Sequence, residues 1–176
     1  MGKNYIASPV SRKGIRYKAN YLRKLLGLEK DLYIDVLRIL EMVLPQLGVN
    51  YEIVGISELN EEAVTDTGKA LIKIREDVYN GARKGVGRYR FTIMHEIAHL
   101  MLHDEDTICL ARGEKPREAY LDPEWQADAF AGEFLIPYDL TKNMSESEIV
   151  RCCGVTPKAA RCQIKEIGRA SCRERV

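Results

Sequence analysis

The chain has 176 residues, 45% hydrophobic and 30% charged, with a formal net charge of +1, the size and balance of one medium globular domain. No apolar run approaches the roughly 18 residues of a membrane span, and the opening MGKNYIASPVSRKG carries no apolar signal core, so a cytoplasmic protein without membrane contact is expected. Five cysteines, at 109, 152, 153, 162 and 172, form no CxxC pair and are expected as reduced thiols, mostly buried as small apolar groups.

Residues 1–28 hold seven Lys or Arg and no acid. Within them Ile15, Ala19, Leu22, Leu25 and Leu26 recur at helical spacing, which predicts an amphipathic helix over Gly14–Leu26 with a solvated basic face. The sharper alternative is a surface for acidic protein or nucleic acid. A second helix is predicted over Asp35–Leu47, with Pro45 tightening its last turn and Gly48 stopping it. Tyr51–Ile56 and Ala70–Ile74 predict two short strands. Residues 80–87 carry three glycines and two cations but lack the GK[ST] ending of a phosphate loop, and predict a flexible connection.

All three histidines lie at 95, 99 and 103. At 100° per residue they share one sector of about 80° on a helix, with Glu96 at its edge and Phe91, Met94, Ile97, Ala98, Met101 and Leu102 opposite. The spacing of His95 and His99, one helical turn apart, lets both imidazoles reach a single Zn²⁺ ion. Glu96 is placed to take a proton from water activated by that metal and to pass it to a leaving amine. His103 cannot join them, since three histidines at i, i+4 and i+8 span about 12 Å. A neighbour of the ligands, a contact at the helix end or part of a cleft wall is its expected role.

A catalytic zinc site needs a third protein ligand and an open fourth position. In LDPEWQADAFAGEFLIP (121–137), Asp122 predicts an N-cap, Pro123 the first helical position and Pro137 the stop. Glu124 and Asp128 share one face, flanked by Ala127 and Ala131, which allow close approach to the histidine helix. Glu124 is read as the third ligand and Asp128 as acceptor of a ligand imidazole N–H. Glu118, Asp104, Asp106 and Cys109 remain alternatives as ligand. Tyr89, Arg90, Tyr120 and Tyr138 are open candidates for polarising a substrate carbonyl.

The run GRYRFTIMHEIAHLMLH (87–103), with EWQADAFA (124–131) and FLIP (134–137), resembles the ImmA/IrrE family of metallo-endopeptidases, and the resemblance extends from the basic helix to about Glu166. It implies an α+β fold: a compact zincin-like domain with a small sheet packed against the HExxH helix, plus a short helical C-terminal appendage. It also implies one zinc ion on His95, His99 and Glu124, with Glu96 as catalytic base. The family more often carries Asn at the position of Asp128. Its members cleave helix-turn-helix repressors of mobile elements or stress-response genes, so a protein partner of that kind is expected and direct nucleic-acid binding is not.

Beyond Pro137, Ser147–Cys153 and Pro157–Ile167 around the turn Gly154–Pro157 outline a helix-turn-helix, on which Lys158, Arg161, Gln163 and Lys165 are the side chains a DNA reader would use. A packing or substrate-docking appendage is the favoured reading. The last ten residues, IGRASCRERV, read as the in-frame translation of a sequencing adapter and are set aside; without their three Arg and one Glu the formal net charge is −1. The expected organisation is therefore a basic helix over 1–30, a metallopeptidase core over 31–142, the appendage over 143–166 and the adapter tail over 167–176. The alternative function is a non-catalytic zinc-binding regulator that binds a repressor or DNA.

Overall fold

The computed structural model describes residues 5–103, 108–110 and 118–173. Along the chain come β1 (Tyr5–Ala7), α1 (Arg12–Leu25), α2 (Val36–Arg38), β2 (Asn50–Val54), β3 (Ala63–Asp66) and β4 (Leu71–Arg75). They are followed by α3 (Glu76–Arg83), α4 (Gly87–Leu102), β5 (Ile108–Leu110) and α5 (Pro123–Leu135). Short α6 (Tyr138–Thr141), then α7 (Glu146–Cys153) and α8 (Pro157–Arg173), complete the described elements. The fold is α+β. Among the described residues no helix is long and apolar enough to cross a membrane.

Side chains alternate along a strand, so Ile72 and Ile74 of β4 face the same side, and both are fully buried. β4 lies at the centre of a three-stranded sheet ordered β2-β4-β3, parallel to β2 and antiparallel to β3. The strand predicted over Ala70–Ile74 would be open to an added extended segment if it lay at a sheet edge. The structure corrects this expectation, because β3 inserts beside β4 and becomes the edge on that side. α4 packs against β3 and α5, burying Ile93, Met94, Ile97 and Ala98 completely.

Two further boundaries differ from expectation. The segment after Asp35 is helical but changes pitch, from α2 to a wider π turn at Ile39–Val43 and a tight 3₁₀ turn at Leu44–Leu47. Pro45 explains the tightening, since it has no N–H to continue an α-helix. Residues 80–87 are not a loop throughout, because α3 runs to Arg83 and α4 starts at Gly87. Gly85 takes the left-handed backbone of the turn, with φ of 80°, while Gly81 and Gly87 serve close packing. The Tyr89 ring lies directly against Gly81, and a Cβ on Gly87 would come 2.8 Å from the carbonyl carbon of Val155.

The basic face expected on α1 is solvated only in part: Lys13, Lys18 and Lys24 are exposed, whereas the three arginines are engaged. Arg12 Nε donates to Glu133 Oε1 at 2.9 Å and Arg16 Nε to Glu133 Oε2 at 3.0 Å, with Glu133 fully buried on α5. Arg23 is buried and donates to the Phe134 carbonyl at 2.7 Å, answering one of the acceptors a helix leaves free in its last turn. Ile15 and Ala19 fill the space between these contacts. Three cations that count as surface charge in the sequence thus bolt α1 to α5.

Removing one partner of a buried ion pair leaves an uncompensated charge. We therefore expect Glu133→Ala to lower unfolding free energy by an amount near the lower end of about 3–5 kcal/mol, measured by urea denaturation. A loss below about 1 kcal/mol, the range of a surface pair, would contradict the assignment.

α7 and α8 meet at Gly154 and pack on each other. Arg90 of α4 anchors this turn. Its Nη1 donates to the Cys153 carbonyl at 2.8 Å, and its guanidinium lies 3.9 Å from the centre of the Tyr33 ring. Of the four side chains a DNA-reading helix would offer, Gln163 is buried against Arg12 and Arg161 pairs with Glu146 at 2.6 Å. Lys158 and Lys165 remain exposed.

Candidate metal centre

α4 presents His95 and His99 on the face turned to α5, because residues four apart stack one above the other on a helix. α5 begins as expected: Asp122 accepts the Glu124 N–H at 3.0 Å and Pro123 occupies the first position. This fixes Glu124 in the first turn, opposite the histidine pair. Ala127 and Ala131 are fully buried, and α4 and α5 form a closely packed helix pair.

Three ligand-type atoms converge. His95 Nε2 and His99 Nε2 are 3.0 Å apart, while Glu124 Oε2 is 3.2 Å from the first and Glu124 Oε1 is 3.5 Å from the second. A tetrahedral ion with bonds of about 2.0–2.1 Å holds its ligand atoms about 3.3 Å apart. The observed spacings bracket that value, so the donor set and its geometry fit a single small cation. Among the described residues, His95, His99 and Glu124 form the one group with such spacing. Asp104 and Asp106 lie outside the described residues. Glu118 is exposed before the turn at Ala119–Leu121 and is not part of the group. Cys109 lies in β5, where its backbone pairs with Ile6 of β1.

Each imidazole is held from behind. Asp128 Oδ1 is 2.9 Å from His95 Nδ1, so His95 donates there and turns its Nε2 towards the centre, where a bound cation would replace the proton that Nε2 otherwise shares with Glu124. His99 Nδ1 is 3.1 Å from His103 Nδ1, and His103 Nε2 is 3.0 Å from Gln126 Oε1. The amide nitrogen of Gln126 donates to the carbonyls of Ser8 at 2.9 Å and Tyr120 at 2.7 Å.

Those last two donations fix the direction of every other proton. Gln126 Oε1 must accept from His103 Nε2–H, His103 Nδ1 must accept from His99 Nδ1–H, and His99 Nε2 is left as a free lone pair. Burial lowers the pKa of His103 and keeps it neutral, as the relay requires. His103 therefore caps α4 and touches the candidate ligand His99, without itself joining the group. Such partners typically change metal affinity about 10–100-fold. His103→Ala and Gln126→Leu are each expected to weaken zinc binding by that factor in a chelator competition, with Gln126→Glu recovering part of the loss. Unchanged affinity in both would show that the relay does not orient His99.

The charges reinforce the geometry. Burial opposes charge on His95, but hydrogen bonds to Asp128 and Glu124 outweigh it and raise its pKa to about 10. Glu124 is held well below the ordinary carboxylate range by hydrogen bonds from His95 and His99. The site is built to stabilise an anionic carboxylate beside positive charge.

Glu96 is buried next to His95, outside the ligand triangle. The Thr65 hydroxyl of β3 lies 2.8 Å from Glu96 Oε2 and 3.0 Å from the Glu96 carbonyl, so it can donate to either oxygen. Thr65 and Gln126 are the two site residues that sequence reasoning missed. Of the carbonyl-polarising candidates, Arg90 is spent on backbone carbonyls, Tyr89 packs on Gly81 and Tyr138 lies under Arg16. Tyr120, which is exposed, is left among them.

No curated protein matches the chain at a significant level. A family model does: the IrrE N-terminal-like domain of peptidase family M78 matches residues 60–150, just over half of the chain and the whole stretch from β3 through α5. Coming on top of two imidazoles and a carboxylate spaced for one cation, that match settles the kinship: the chain belongs to the IrrE N-terminal-like peptidase family M78.

Proposed function

We propose that the protein is a zinc-dependent endopeptidase that hydrolyses a peptide bond in a regulatory protein, a helix-turn-helix repressor being the expected substrate. The observation that carries the reading is the triangle of His95 Nε2, His99 Nε2 and a Glu124 carboxylate with Glu96 one residue from its first corner. When bound, zinc supplies Lewis acidity that lowers the pKa of water towards 7 and polarises a carbonyl. Glu96 accepts the proton of the attacking water on its carboxylate and returns it to the departing amine. Thr65 holds that carboxylate in place, while Asp128 and His103 hold the imidazoles.

β3, as an edge strand beside α4, offers backbone groups to an extended substrate. A regulator that only binds metal has no use for a carboxylate placed like Glu96, which is why the enzyme reading is preferred. The test is incubation with a candidate helix-turn-helix repressor. Cleavage that stops with EDTA and returns with added zinc is expected. Cleavage that survives exhaustive chelation would sink the zinc assignment, and zinc binding with no cleavage would select the non-catalytic regulator.

A further inference from the structure

A groove of about 800 Å³ runs between α4, α5 and α8, within the size range of ligand sites, about 300–1,000 Å³. Its lining includes Asp128, the partner of His95, so the groove lies beside the candidate metal centre. On α4, Thr92, Phe91 and Arg88 continue the face of His95 backwards by one and two turns. On α5, Trp125, Ala129 and Gly132 line the opposite wall at the same helical spacing. Phe91 and Trp125 are half-buried and present ring surface, and the small residues leave depth between them.

The third wall carries the charge. Lys158 and Lys165 of α8 are exposed and form no ion pair among the described residues. Arg12 and Arg88, also in the lining, are already paired with Glu133 and Glu62. Seven residues on a helix rise about 10.5 Å, which an extended chain covers in about three residues. The two lysines therefore match acids about three positions apart on an extended segment.

We propose that this groove is the docking site for the substrate segment beside the scissile bond, and that it selects an acidic peptide carrying an aromatic or large aliphatic side chain. The inference rests on the peptidase reading for the occupant's identity, though the groove's chemistry stands without it.

The test uses the full chain with Glu96→Gln, to bind without turnover, and a randomised dodecapeptide library. Retained peptides are expected to combine Asp or Glu with an aromatic or large aliphatic residue, and to change the emission of Trp125, the chain's single tryptophan. In Lys158→Glu/Lys165→Glu the selected charge should invert to Lys and Arg, and the best acidic peptide should bind about tenfold or more weakly. No selection, an identical selection by the double variant, or stronger competition by a 12-nucleotide single-stranded DNA would overturn the proposal.

A repressor cleavage assay separates the two claims. Unchanged kcat/KM for the charge-reversed protein, with loss of activity only in Glu96→Gln, would remove the groove and keep the peptidase. Inverted peptide selection without any cleavage by wild type would keep the groove and remove the peptidase.

Discussion

Glu96→Gln protein will cleave its substrate about 10²–10⁴-fold more slowly than wild type, the range a positioned general acid–base contributes. The substitution keeps the size of the side chain and leaves an amide oxygen able to accept from Thr65, whose hydroxyl sits 2.8 Å from Glu96 Oε2. What it removes is the carboxylate that would accept the proton. Because Glu96 lies outside the triangle of His95, His99 and Glu124, zinc content should stay at the wild-type level. Single-turnover rates with zinc measured in the same samples check both halves. A rate within a few-fold of wild type would remove Glu96 from the chemistry, whereas a fall in zinc alongside the rate would make it a structural residue.

Glu124→Ala should have the larger effect on the metal. The carboxylate supplies one of three protein atoms, and it neutralises positive charge gathered between two imidazoles. Losing it should weaken zinc binding well beyond the about 10–100-fold expected for residues that only support ligands. Activity should disappear at zinc concentrations that saturate wild type, and the Glu124→Asp chain, whose carboxylate is one methylene shorter, should recover little. Competition with a zinc-binding dye gives the affinities directly. Wild-type affinity in Glu124→Ala would require another third ligand.

The two halves of this site differed in how far the sequence exposed them. His95, Glu96 and His99 lie on one turn of one helix, so their juxtaposition follows from residue spacing alone. Glu124 is more distant, yet Asp122, Pro123 and the alanines at 127 and 131 announce a capped helix with a narrow face, and the structure lays that face on α4.

Thr65 was not legible for a physical reason. Its strand has four residues, too few for a periodic signal, and its partner is 31 positions away. Gln126 looks like any polar helix residue until His103, 23 positions before it, is found alongside. The arginines of α1 show the same limit, since a list of charges cannot show that Glu133 lies buried beneath Arg12 and Arg16. Strand order is equally hidden. β2 and β4 can be read as strands, but nothing local says that β3 will cover the flank of β4 and take over the edge. The glycines at 81 and 87 misled in the opposite direction, because they mark close packing against Tyr89 and Val155 and were read as flexibility.

The central claim is that His95, His99 and Glu124 hold one zinc ion, and its most direct test is the metal content of the purified chain after dialysis against zinc and then buffer. Elemental analysis should find one zinc per wild-type chain, one in Glu96→Gln and markedly less in His95→Ala, His99→Ala and Glu124→Ala. No zinc in wild type, or a full equivalent retained by all three ligand variants, would contradict the account.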